Sequence, residues 1–296
     1  MNIRKKLSLA LAVIILSTLC FGTSNGVSAA SNNKDKITKN FINVNGENIY
    51  YERKGNNKNK DTIIFIHGAL VNSESMKFLS EKFNDYNCIT FDLPGHGKSE
   101  GTPKMSIADY TESVYNFIDI LKAKNEITNN ITLVGWSMGG SIALELAEKG
   151  LKDLKNIVLL DSSAKWVIDL SGADPNAPLD FAPLFQSNFT SLTPQYVKDV
   201  FMKNASKYLS SDLACKSDLF AAHAYDNVSE LSKVNVPVLI LSGDVDNLAL
   251  IEYETLLKKN IKNSYLKIYP NRAHIMFMEI PDQISKDIRE FFTYSK

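Results

Sequence analysis

The chain has 296 residues, 44% of them hydrophobic, which suits one large domain with a substantial core, and it shows no internal repeat or low-complexity tract. Lysine plus arginine and aspartate plus glutamate both number 33, so the formal net charge is +0. A balanced surface of this kind sets up no long-range field for nucleic acid or an anionic membrane, and the partner class it accepts most easily is a small neutral molecule.

In chain order, the first signal is an address. Arg4, Lys5 and Lys6 precede an apolar run over 7–21, and Val27-Ser28-Ala29-Ala30 supplies the small residues a signal peptidase accepts. Residues 1–29 are therefore expected to be a signal peptide, removed from a secreted, extracellular mature protein. Its removal takes three basic and no acidic residues, leaving 30 basic against 33 acidic. The apolar run is shorter than the roughly 20 residues that span a bilayer, and Leu19 before Cys20 does not suit a lipoprotein signal. No stable membrane insertion is expected after cleavage. Residues 30–44 are expected to be a flexible N-terminal segment.

Alternation over 47–53 predicts an antiparallel strand, followed by a turn at 56–60. Apolar runs then predict buried strands at 62–66, 88–91, 131–134, 157–160, 236–241 and 265–268. Helical periodicity falls between them, at 74–83, 107–121, 141–149, 249–259 and 281–292. Such alternation predicts an α/β fold, a mostly parallel central sheet with flanking helices. Residues 163–233 break the rhythm, with helical candidates at 194–202 and 213–224 but no strong strand. A structureless loop of that length is improbable in a compact domain, so this stretch is expected to be a helical cap, a lid candidate, between core segments 45–162 and 234–296. Placed after a strand's carboxyl end, it would cover the crevice where open α/β sheets bind ligands.

The chemistry concentrates at Gly135-Trp136-Ser137-Met138-Gly139, between a strand and a helix. That context is what a nucleophile elbow requires. Small residues leave room for a sharp turn, and the serine hydroxyl stands at a helix N-terminus whose amides favour developing negative charge. A serine is a weak nucleophile unaided and needs a histidine base and an orienting carboxylate, in the chain order serine, acid, histidine. Asp244 and Asp246 follow the strand at 236–241, and His274 follows the strand at 265–268. Asp161, at the end of an earlier strand, is the other rival for the acid. The four histidines lack metal-ligand spacing, so no metal and no cofactor are expected. Cys88 and Cys215, the cysteines left after cleavage, are too few for a disulfide-built scaffold.

From about residue 45 onward the chain resembles the α/β-hydrolase family. The resemblance rests on Phe65-Ile66-His67-Gly68-Ala69, Asp92-Leu93-Pro94-Gly95-His96-Gly97-Lys98-Ser99, Gly135 to Gly140, Gly243 to Asp246, and His274. It is nearest to the cap-bearing branch of serine esterases, non-haem haloperoxidase-like enzymes and lactonases. The resemblance implies an α/β-hydrolase fold with a helical cap after the sixth strand, Ser137 as nucleophile, His274 as base and Asp246 as acid. It also implies an oxyanion hole from the N–H groups of Ala69 and Met138, and a loop-bracing role for His67. His96 belongs to the tight turn after the third core strand, and His223 to the surface or packing of a cap helix. Trp136, Phe181, Phe185 and Phe220 are the candidates for an apolar substrate pocket. The implied activity is hydrolysis of a small carboxylic ester or lactone through an acyl-enzyme. Haloalkane dehalogenases and epoxide hydrolases share the scaffold but use an aspartate where this chain has Ser137. Iminopeptidases usually carry a Trp where Met138 stands and need an acidic pocket, which makes that reading an alternative, as is a non-catalytic hydrolase-like binding protein.

Overall fold

Eight strands form one sheet: β1 (Ile37–Val44), β2 (Glu47–Lys54), β3 (Thr62–Ile66), β4 (Asn87–Phe91), β5 (Ile131–Trp136), β6 (Leu154–Leu160), β7 (Val238–Gly243) and β8 (Ser264–Tyr269). The spatial order is β1-β2-β4-β3-β5-β6-β7-β8. The β1/β2 and β2/β4 pairings are antiparallel and the others parallel. This computed structural model describes residues 37–55, 61–168 and 182–295, so the expected signal peptide and Phe181 lie outside the described residues. The helices, in chain order, are α1 (Lys77–Ser80), α2 (Ile107–Ala123), α3 (Met138–Glu148), α4 (Ala182–Ser187), α5 (Gln195–Met202), α6 (Ala205–Tyr208), α7 (Asp212–His223), α8 (Ile251–Asn260), α9 (Met276–Glu279) and α10 (Pro281–Tyr294).

The central strands are buried along their whole length because both faces of the sheet are covered. Alternate side chains go to opposite faces, as a pleated strand requires. Ile64, Ile66, Leu133 and Ile157 join one apolar cluster with residues of α2, α3 and α8. Their neighbours Ile63, Phe65, Val134 and Val158 join a second cluster with α1, α9 and α10. This two-sided burial explains why the sequence shows continuous apolar runs rather than alternation. Cys88 lies in β4 and Cys215 in α7, both buried, with sulfurs facing different carbonyls.

Two local expectations are corrected. Residues 37–44 of the segment expected to be flexible form β1, paired along its whole length with β2. The cause is Asn45-Gly46, both at positive φ (52° and 93°), a two-residue hairpin turn whose hand matches the twist of the flanking strands. Ile42 and Val44 then point inward and are buried. The helix expected over 74–83 is a 3₁₀ turn, Ser73–Met76, followed by the single turn α1. Here Asn72 accepts the Glu74 N–H and Ser75 donates its hydroxyl to the Asn72 carbonyl, local bonds that compete with a regular helix.

Between β6 and β7 the chain leaves the sheet and returns through α4, α5, α6, α7 and a 3₁₀ turn, Val228–Lys233, so the helical cap follows the sixth strand.

Phe117, on α2, is buried against Phe91 (ring centroids 4.6 Å) and Tyr51 (5.8 Å), bridging the helix layer to β4 and β2. Phe117→Ala should lower the free energy of unfolding by about 3–5 kcal/mol, read from urea denaturation. An unchanged midpoint would contradict this account of the core.

Candidate active site

The turn from β5 into α3 forces an unusual backbone on one residue. Ser137 sits at φ 53°, ψ −124°, a region that costs a non-glycine residue about 1–3 kcal/mol. The neighbouring glycines supply space instead. A Cβ on Gly135 would lie 2.4 Å from the Gly139 carbonyl oxygen, and one on Gly139 would lie 2.3 Å from that of Ile66. The positive φ thus belongs to the serine, and the glycines let β5, α3 and the loop after β3 close around it.

Ser137 Oγ lies 2.8 Å from His274 Nε2, and His274 Nδ1 lies 2.8 Å from Asp246 Oδ2. All three residues are buried. The other oxygen of Asp246 accepts the N–H groups of Leu248 (2.7 Å) and Ala249 (3.0 Å), which fixes the carboxylate's orientation. The loops bearing the acid and the imidazole run close together. A Cβ on Gly243 would meet the Arg272 carbonyl at 2.3 Å, and that carbonyl accepts the Val245 N–H at 3.0 Å.

The rivals for the acid position lie elsewhere. Asp244 accepts the Asn271 N–H at 2.6 Å and ties the two loops together. Asp161 is fully buried and accepts the Gly243 N–H at 2.9 Å. Burial, and after it the Asp246 and Glu254 carboxylates, push the Asp161 carboxyl well above the usual carboxylate range. Glu254, on α8, is buried in the same region; burial pushes its carboxyl up to about 9, with the Ser242 hydroxyl opposing and Asp246 adding to the effect. Neither of them reaches the imidazole, which meets Asp246.

The loop after β3 packs on the serine: a Cβ on Gly68 would lie 3.1 Å from Ser137 Cβ. This brings Ala69, next in the chain, beside Ser137, with Met138 at the start of α3. His67 braces that loop, its Nδ1 on the Gly68 carbonyl (2.8 Å) and its Nε2 accepting the Leu93 N–H (3.0 Å). His223 is exposed at the end of α7, its Nδ1 facing the Ile168 carbonyl.

Among the described residues, an apolar cavity of about 130 Å³ opens onto Ser137 and His274. Its walls include Trp136, Met138, Trp166, Phe185, Leu219 and Leu248, and among the described residues that line it none carries an acidic or basic chain besides His274. Two pocket expectations need amendment. Phe220 is 42% exposed on α7 and does not line the cavity; Leu219 and Ala222 of that helix do. At 100° per residue, an error of one position in the helix phase turns a side chain out of the site. Trp136 lines the cavity and has a second task, its indole N–H donating to the His274 carbonyl at 2.7 Å. Trp166 was missed. It follows β6, donates to Ser141 Oγ at 3.0 Å and meets the His274 ring edge-on at 6.3 Å. Its place in the segment that leaves the carboxyl end of β6 was the available signal.

The profile of the alpha/beta hydrolase family matches residues 63–286, from β3 into α10. The chain belongs to the alpha/beta hydrolase family. Within this family it is similar to Lipase 1 of Psychrobacter immobilis, 26% identical over 275 residues that cover 88% of this chain and 85% of the relative. Its fold is similar to that of a lipase-esterase related protein from Clostridium acetobutylicum (28% identity, TM-score 0.73, covering 82% of this chain and 99% of the other). It is likewise similar to the fold of an enol-lactonase from Burkholderia xenovorans (19% identity, TM-score 0.72, covering 86% and 99%). The α/β-hydrolase core is therefore a family feature, and the sheet order places Ser137 at the end of a central strand, as the hydrolase elbow requires.

Glu254 makes the site's surroundings sensitive to pH in a defined direction. Its carboxyl moves from an ordinary 4.5 when unfolded to about 9 when folded, so the folded state holds the proton longer. The resulting stabilisation is complete below about 4.5 and is lost as pH rises toward about 9. Glu254→Gln has no proton to lose. Its stability relative to the parent should therefore grow steadily over that window, measured as urea midpoints at several pH values; parallel pH profiles would contradict the buried, protonated Glu254.

Proposed function

We propose that the protein is a serine hydrolase of small carboxylic esters, including lactones, acting through an acyl-enzyme on Ser137. The observation that carries this reading is the unbroken hydrogen-bonded line from Ser137 Oγ through the His274 ring to Asp246, at the mouth of an apolar cavity. His274 Nε2 takes the hydroxyl proton as Oγ bonds to the ester carbonyl carbon, and Asp246 holds Nδ1–H and offsets the imidazolium charge. The carbonyl oxygen, now an oxyanion, is received by the N–H groups of Met138 and Ala69. Collapse of this intermediate breaks the bond to the alcohol, which leaves with the proton from His274. Water then attacks the acyl-enzyme by the same sequence, releasing the acid and restoring Ser137.

The cavity supports a choice of acyl group. A dry cavity near 150 Å³ holds a benzene-sized ligand, so the space here suits an acyl group of about four to six carbons. The same lining argues against an iminopeptidase, since no Asp or Glu is present among its described residues to receive a substrate ammonium. The lipase and esterase names of the relatives at 26% and 28% identity point the same way. Export of the mature protein belongs to this proposal and rests on the leader-like pattern of residues 1–29.

Purified protein should hydrolyse p-nitrophenyl esters with kcat/KM highest at short to medium chain length. Ser137→Ala should lower kcat by about 10³-fold or more and abolish fluorophosphonate labelling, while circular dichroism stays unchanged. Labelling that survives in the variant would remove Ser137 as nucleophile. For export, sequencing the protein recovered from culture medium should find a new N-terminus near Ala30; a full-length, cell-retained chain would refute this part.

A further inference from the structure

Asp218, on cap helix α7, is a fully buried carboxylate with three donors converging on it: the Leu70 N–H at 2.7 Å, the Tyr110 hydroxyl at 2.8 Å and His96 Nε2 at 2.9 Å. None of these residues touches the reacting atoms in the scheme above. Leu70, however, directly follows Ala69. It is held in a left-handed backbone (φ 71°), and its carbonyl accepts the Ser210 N–H of the cap at 2.9 Å. A branched-chain residue in that conformation persists only when its surroundings impose it. The cap supplies both constraints, one on the Leu70 N–H and one on its carbonyl.

His96 lies between two acceptors. Its Nε2 faces Asp218 and its Nδ1 lies 3.0 Å from the Pro94 carbonyl, and neither oxygen has a proton to give. A neutral imidazole has one N–H and satisfies one such acceptor; both are satisfied only by the imidazolium. Burial alone would push the His96 proton off, but the charge and hydrogen bond of Asp218, helped by Pro94 and Asp92, outweigh it and raise its pKa. The other groups facing this pair are His67 from the β3 loop, the Tyr110 hydroxyl from α2, and Cys215 one turn back on α7. His67, with its ring centroid 5.2 Å from that of His96, is kept neutral by burial and then by the His96 charge, its pKa lowered to about 4.

We infer that Asp218, paired with a protonated His96, is a positioning residue for the oxyanion hole: from the cap, it locks the Ala69–Leu70 turn so that the Ala69 amide stays beside Ser137. The inference rests on Ser137 being the nucleophile. The lock has a pH limit. Because folding raises the His96 pKa, the pair's contribution is complete below the ordinary histidine value and is lost as pH rises through the folded one. Above that point one acceptor of His96 loses its hydrogen bond.

The test uses protein labelled uniformly with ¹⁵N, the His96 signals being identified by their loss in His96→Gln. At pH 7 both His96 ring nitrogens should carry protons. On alkaline titration, the loss of one proton should move the Ala69 and Leu70 amide resonances and lower the rate of Ser137 phosphonylation by a fluorophosphonate, all with one midpoint. Asp218→Asn should lower kcat by about 10- to 100-fold with KM little changed, less than the about 10²–10³ cost of deleting an oxyanion donor outright. A neutral His96 at pH 7, amides indifferent to its titration, or a folded Asp218→Asn with parental kcat would each overturn the inference. If no phosphonylation occurs at any pH, the serine-nucleophile reading fails, and the amide resonances still decide whether the pair holds the loop.

Discussion

The structure depends on a single strained residue. Ser137 is held in a backbone conformation it would leave if it could, because β5 must end and α3 begin with no intervening loop. Everything that surrounds it acts to keep it there. Ser162 donates to the Ser137 carbonyl at 2.8 Å, the Ser137 N–H donates to Leu160 at 3.0 Å, and three glycines allow the neighbouring backbone to approach without Cβ atoms in the way. The hydroxyl is thereby raised clear of the sheet, where an imidazole carried by a different strand can meet it. A relaxed serine on a strand would point into one of the two apolar layers and meet nothing.

That constraint propagates outward through the parallel sheet. With β3, β5, β6, β7 and β8 all running the same way, their carboxyl ends share one edge, and each contributes a loop there. The β3 loop brings Ala69, the β5 turn Ser137 and Met138, the β7 loop Asp246 and the β8 loop His274. Two buried acids, Asp161 and Glu254, stand behind this edge, and burial raises the carboxyl of each above the usual carboxylate range. Asp246, fixed by two backbone amides, is the acid that meets the imidazole.

This geometry was legible from the sequence to the extent that it is local. Apolar runs mark strands buried on both faces, the glycine spacing marks the elbow, and the loops carrying Asp246 and His274 follow directly from where their strands end. The expectations that failed did so for identifiable reasons. The hairpin of β1 hung on Asn45-Gly46, a turn signal overshadowed by the polar stretch before it. Phe220 was misplaced by a single helical step, which periodicity over twelve residues of mixed polarity does not resolve. Asp218 was invisible because nothing in Cys215-Lys216-Ser217-Asp218-Leu219 separates a buried aspartate from a surface one. Its partners Leu70, His96 and Tyr110 lie 148, 122 and 108 residues away in the chain.

Those distant pairings change how the cap is to be understood. On one side it grips the oxyanion loop through Asp218 and Ser210, and through an isolated bridge between Val71 and Leu209. On the other it meets the histidine loop, where Arg272 pairs with buried Glu279 at 2.8 Å, Thr193 donates to the same carboxylate, and the Tyr196 hydroxyl donates to the Met278 carbonyl at 2.7 Å. A cover that only shielded the cavity would have no need of hydrogen bonds to both halves of the machinery. Because the helix that carries Asp218 also presents Leu219 and Ala222 to the cavity, the same element shapes the cavity wall and holds the loop after β3 through the Leu70 N–H. Selectivity and positioning are therefore mechanically linked in this protein. On the proposed reaction, a substitution that reshapes the α7 wall to admit a larger acyl group would also shift the carboxylate one residue away, so a gain in substrate range on that wall is expected at the expense of turnover.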